Sequence, residues 1–128
     1  SLLNRHFYGR NQGIMKSTYL RYLALAKVVQ ETDKNLTAVD ETAKRLLEVI
    51  ALSHAENRPL TVSEAMALEP IASPGTIHRK LDQLRELGMI ETQFEGTNRR
   101  TKYLKITDKA KLYFSTVGSL IQRATGQV

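Results

Sequence analysis

Residues 60–91, LTVSEAMALEPIASPGTIHRKLDQLRELGMIE, leave this chain few ways to fold. Thr61 or Ser63 caps a short helix that runs to about Leu68. Glu69-Pro70 ends it, because the residue before a proline avoids helical dihedrals. Ser73 caps again almost at once, with Pro74 just inside the next helix, where its missing N–H costs nothing. Ile77, Leu81, Leu84 and Leu87 follow at i, i+4, i+7 and i+10 and form one apolar stripe. Gly88 then serves as the C-cap. Two helices this closely joined, the second strongly capped, make a helix-turn-helix.

The chain after Gly88 switches period. Ile90, Thr92 and Phe94 alternate with Glu91, Gln93 and Glu95, GTN supplies turn chemistry, and RRTKYLKI alternates again, with Thr101 and Tyr103 opposite Lys102 and Leu104. This pattern predicts a β-hairpin. Thr107, with Asp108 after it, starts a last helix to about Ala124, with Ala110, Phe114, Val117 and Ile121 on one stripe.

Ahead of the helix-turn-helix, residues 1–15 have two glycines and no clear period. They read as an arm that packs on a partner through Leu2, Leu3, Phe7 and Tyr8. A helix runs from Lys16 to about Glu31, with Ser17 or Thr18 as N-cap. Its apolar residues cover more than one stripe, which points to a subunit interface. TDKNL breaks it, and Thr37 caps the next helix, with Asp40 and Glu41 in the first turn. Val39, Ala43, Leu46, Leu47, Ile50 and His54 keep helical spacing to about Asn57, and Arg58-Pro59-Leu60 is extended.

The expected architecture is mainly α with a small antiparallel β wing: a winged helix-turn-helix of the α+β class, flanked by N- and C-terminal helices. The expected division is an arm and dimerisation helix at 1–35, a DNA-binding domain at 36–106 and a dimerisation helix at 107–128.

At 128 residues one domain is the prior, and a core needs no staples. There are no cysteines, hence no disulfides and no thiolate metal sites. No apolar run approaches the roughly 20 residues that span a bilayer, and the expected location is cytoplasmic. The charge of +6 is unevenly spread. Residues 1–30 carry +5 and no acid, residues 31–72 carry −4, and residues 73–105 carry +3. Basic regions flanking an acidic middle suit a polyanionic partner, of which nucleic acid is the commonest.

The second helix of the motif has the two sides that groove reading needs. Ile77, Leu81 and Leu84 face inward, leaving Thr76, Arg79, Lys80 and Gln83 outward, with Gly75 and His78 at the margins. Arg and Lys donate to guanine, Gln pairs with adenine, and Ser or Thr reaches phosphates. The hairpin, with Arg99 and Arg100 beside its turn and Lys102 after them, would lie against a minor groove or backbone. One of the two arginines is expected to point into the groove, since successive strand residues face opposite ways.

Residues 60–91 followed by NRRTKYLKITDKAK resemble the DNA-binding domain of MarR-type transcriptional regulators over roughly residues 36–110. The resemblance rests on the helix-turn-helix, on LRELGMIE leading into the wing, and on the arginine wing closing with LKITDKA. It implies a dimeric repressor or activator on a roughly palindromic site. It implies groove contacts from Ser73, Thr76, His78, Arg79, Lys80 and Gln83, and wing contacts from Asn98, Arg99 and Arg100. The family often has an Asp near the wing tip, where this chain has Asn98, and it usually ends in two helices where this chain has one. A small-molecule effector is common in the family, and no residue of this chain identifies one.

His6, His54 and His78 have no metal-site spacing, and no nucleophile elbow, P-loop or GxGxxG occurs. The expectation is a DNA-binding regulator, not an enzyme, with no cofactor and no metal. The alternatives are a winged-helix protein-interaction module and a replication or partition protein that uses the same fold on DNA repeats.

Overall fold

The computed structural model describes residues 16–32 and 39–125. The arm with Leu2, Leu3, Phe7 and Tyr8, together with His6, Thr37 and the TDKNL segment beyond Thr32, lies outside the described residues. The elements are α1 (residues 16–32), α2 (Glu41–Ala55), α3 (Val62–Met66), α4 (Pro74–Glu86), β1 (Ile90–Phe94), β2 (Lys102–Ile106) and α5 (Asp108–Thr125).

Several caps differ from expectation. Helix α1 already includes Lys16, so Ser17 and Thr18 lie inside it and neither caps it. The N-cap of α2 is Asp40, not Thr37: its Oδ1 accepts from the Ala43 N–H at 2.8 Å. A carboxylate satisfies the orphan donor as well as a hydroxyl does and adds a charge that suits the positive helix end. The same helix stops at Ala55, two residues early, because Asn57 turns into the left-handed region at φ 60°. Thr61 caps α3 in a full capping box: its hydroxyl accepts from Glu64 N–H at 3.1 Å, and Glu64 accepts from Thr61 N–H at 3.0 Å. Ser73 caps α4, with Pro74 first inside, as the sequence predicts. Leu87 is the C-cap of α4, and Gly88 follows it at φ 72°, the residue type that takes this conformation without strain.

One core joins these elements. Leu46, Leu47 and Ile50 of α2 meet Ile77, Leu81 and Leu84 of α4, with Met89, Ile90 and Leu104 closing it from the hairpin side. Each of these large side chains contributes roughly 1.5–3 kcal/mol by leaving water. Helix α5 enters the core through Ala110 and Tyr113, and Phe114 and Val117 pack beside them. The buried line is thus rotated from the expected stripe: Ile121 is on the surface, and Tyr113 is the deeper aromatic.

Strands β1 and β2 pair antiparallel, with Ile90 opposite Ile106, Thr92 opposite Leu104 and Phe94 opposite Lys102. The extended segment before α3 adds a short bridge, Thr61 to Tyr103, and the Leu104 N–H donates to Leu60 O at 2.8 Å. The hairpin is therefore tied to the start of the helix-turn-helix as well as to its end.

A second seam joins α4 to α5. The Thr107 hydroxyl donates to Gly88 O at 2.5 Å and accepts from Ala110 N–H at 3.2 Å. Lys109 Nζ donates to Leu87 O at 2.7 Å, placing a cation at the negative end of α4. His54, near the end of α2, accepts the Ile106 N–H on Nδ1 at 3.2 Å. Burial holds its pKa below the ordinary histidine value, and Lys105 and Lys111 push the same way against a smaller opposing pull from Glu91.

Candidate nucleic-acid interface

Helix α4 is fixed by its apolar side, so its other side is set by arithmetic at 3.6 residues per turn. Ser73, Gly75, His78 and Arg79 are exposed, and Thr76 and Gln83 are half-buried at the flanks. The first two turns are polar and free of acids, whereas Asp82 and Glu86 occupy the later part. A polyanion is thus better received at the N-terminal half of α4.

Three of the expected readers form a chain. Ser73 Oγ donates to Thr76 Oγ1 at 3.1 Å, and Arg79 donates a guanidinium N–H to the same oxygen at 3.3 Å. This orients Arg79 along the helix surface. Gly75 leaves open space where a Cβ would stand, so the backbone is bare at the helix start. His78 approaches Asp82 at 3.4 Å, and Arg85 pairs with the same carboxylate at 2.7 Å.

Lys80 departs from expectation. Its ammonium pairs with Oδ2 of Asp40, the N-cap of α2, and its side chain is 24% exposed. The Lys80 hydrogen bond is the main reason that the Asp40 pKa lies below its ordinary value. Lys80 therefore joins α4 to α2, and a groove contact from it would compete with this ion pair.

The hairpin loop is organised by Gly96 and Asn98. Gly96 takes φ 55°, and the Asn98 N–H donates to Glu95 O at 3.1 Å. Asn98 Oδ1 accepts from the Arg100 N–H at 2.9 Å, a local side-chain turn that an Asp would also make. Asn98 thus shapes the wing tip through its backbone neighbour, and its amide approaches Thr101 Oγ1 at 3.5 Å. The Arg99 guanidinium carbon lies 5.6 Å and Lys102 Nζ 5.8 Å from the centre of the Phe94 ring.

Helix and hairpin enclose a cleft of about 820 Å³. Its basic lining is His78 and Arg85 from α4 with Arg99, Arg100 and Lys102 from the hairpin, and Thr61 and Ser63 close it near α3. Among the described residues no carboxylate lines it. Of the expected contact residues only His78, Arg99, Arg100 and Lys102 line it; Arg85 and Phe94 are the cationic and aromatic members that were not expected, beside Thr61, Val62, Ser63, Thr92 and Thr101. Arg85 had a signal, a basic residue one position after buried Leu84. Phe94 had only its place at the strand end beside a cationic loop.

No protein-family model matches the chain, and no curated protein matches it. Solved structures do match. The transcriptional regulator SlyA matches at TM-score 0.53 and 19% identity, over 88% of this chain and 75% of that one. Reduced AbfR bound to DNA matches at TM-score 0.52 and 17% identity, over 96% and 85%. Staphylococcus aureus MarR in complex with salicylate and kanamycin matches at TM-score 0.55 and 20% identity, over 98% and 75%. Helix, turn, helix and wing in this order, with these neighbours, give the chain the winged-helix fold of the MarR-type regulators.

Proposed function

We propose that this chain is a sequence-specific, double-stranded DNA-binding transcriptional regulator. The N-terminal half of α4 enters the major groove, and the hairpin lies on a minor groove or the backbone. The observation that carries the reading is the cleft between α4 and the wing, lined among the described residues by Arg99, Arg100, Lys102, His78 and the Asp82-paired Arg85 and by no carboxylate. A concave surface with three cations that have no carboxylate partner among the described residues raises the local potential for phosphate. The DNA-bound AbfR structure, on the same fold, supports the assignment. Ser73, Gly75, Thr76, His78, Arg79 and Gln83 are assigned to the α4 contact, and Asn98, Arg99, Arg100 and Lys102 to the wing.

An interaction module would present large apolar residues on this face of α4, and the exposed large apolar residues lie elsewhere. Leu52 of α2 and Phe94 of the wing are among them, but most lie on α1 and α5, where Tyr19, Leu20, Tyr22, Leu23, Leu112 and Ile121 are exposed. We assign these helices to homodimerisation, with residues 36–106 as the DNA-binding part. An apolar hollow of about 540 Å³, walled by Leu52, Ile106 and Phe114, offers room for a small-molecule effector. Selecting bound sites from a random duplex library, followed by affinity measurements across a salt series, tests the function. The reading fails if no duplex shows salt-dependent binding.

A further inference from the structure

We propose that Phe94 is a positioning residue of the wing, whose ring holds Arg99 and Lys102 together at the cleft without neutralising them. The inference rests on the DNA-binding reading above. Phe94 is the last residue of β1 and stands directly across from Lys102. It shares a strand face with Ile90 and Leu104, which are buried, but it lies beyond the core and is 37% exposed. A core role does not account for an aromatic at this place. The two cations do: both approach its ring within 6 Å, the range in which a ring's negative face attracts a cation.

The chemistry of the brace matters. A carboxylate would hold an arginine more firmly, but it would cancel the charge and occupy the N–H donors that a phosphate needs. An aromatic face leaves both in place. Among the described residues neither Arg99 nor Lys102 has a carboxylate partner within salt-bridge distance. Arg99 also sits in a loop whose backbone is shaped by Gly96 and by the Asn98–Arg100 turn, so its side chain is the remaining freedom. Removing that freedom before binding lowers the ordering cost at the moment of contact.

The test compares the full chain with Phe94→Leu, which keeps an apolar side chain and loses the ring face, and Phe94→Trp, which keeps a ring face. Circular dichroism and thermal melting establish that each variant is folded. In the free proteins, NMR reads the ring-current displacement of the Arg99 and Lys102 side-chain protons. The displacement is expected in the wild type and in Phe94→Trp and absent in Phe94→Leu. On a selected duplex, Phe94→Leu is expected to bind about five-fold more weakly, with a salt slope about one unit shallower, and Phe94→Trp to match the wild type. Absence of the displacement in the wild type overturns the brace. So does equal affinity and slope for Phe94→Leu, or equal loss in Leu and Trp variants, which marks simple packing. A wild type that shows the displacement but binds no duplex overturns the DNA reading and leaves the brace standing.

Discussion

Arg79 stands on the side of α4 turned from the core and leans on Thr76, while Lys80, its neighbour in the chain, reaches back to Asp40. The difference was partly legible. Lys80 follows Ile77 by three and precedes Leu84 by four, so it borders the apolar stripe, whereas Arg79 lies across from it. What the sequence lacked was the partner, since a carboxylate forty positions away meets Lys80 only once α2 has packed on α4. Two outcomes follow from this division. Arg79→Ala should cost about 1–3 kcal/mol of duplex affinity and relax sequence preference, as measured by competition among selected sites. Lys80→Met should leave sequence preference unchanged and lower stability by about 0.2–1 kcal/mol in urea unfolding, the range for a partly exposed ion pair. The Asp40 contribution should fade in acid, as pH falls through its lowered pKa, because a depressed carboxylate stabilises only while ionised.

At the scale of elements, the helices of the motif were written plainly in their punctuation. Thr61, Ser73-Pro74 and Gly88 each act locally, so a local reading finds them, whereas α3 stops at Met66 with Ala67 as its C-cap, short of the expected end at Leu68 and ahead of Glu69-Pro70. The start of α2 was not legible in the same way, because Thr37 and Asp40 are both good caps and the choice belongs to Asp40, which also receives Lys80. The wing was legible as alternation, but the ring contact of Phe94 was not, since it joins a strand end to a loop through space. The clasp of α2 on β2 makes a further pH statement. His54 accepts a backbone N–H only when Nδ1 is unprotonated, and its pKa is lowered on folding. The unfolded chain then binds the proton more readily, so stability is whole above about pH 6.5 and falls as pH drops below it. Urea midpoints should decline from about pH 7 to about pH 5 in the wild type and decline less in His54→Gln.

For the whole molecule, helix α1 lies beside α5 with a cleft of about 380 Å³ between them, edged by Leu25, Val28 and Leu120. Its outer side keeps Tyr19, Leu20 and Tyr22 more than half exposed, an unusual density for a face meant for water. The width of the apolar stripe on α1 is the sequence feature from which an interface is expected here. Sedimentation should give a dimer for the wild type and a monomer for Leu20→Asp with Leu23→Asp. The double variant should keep its circular dichroism and bind a palindromic duplex far more weakly, since two linked half-site contacts become one. The stitches of Thr107 and Lys109 onto Gly88 and Leu87 then acquire a meaning beyond stability. They fasten the far end of α4 to the near end of the helix assigned to pairing. In a two-fold assembly such a fastening works like the pivot of a caliper: tilting α5 opens or closes the gap between two α4 tips. The protein would measure the separation of its half-sites, and the length it measures would be set at that pivot.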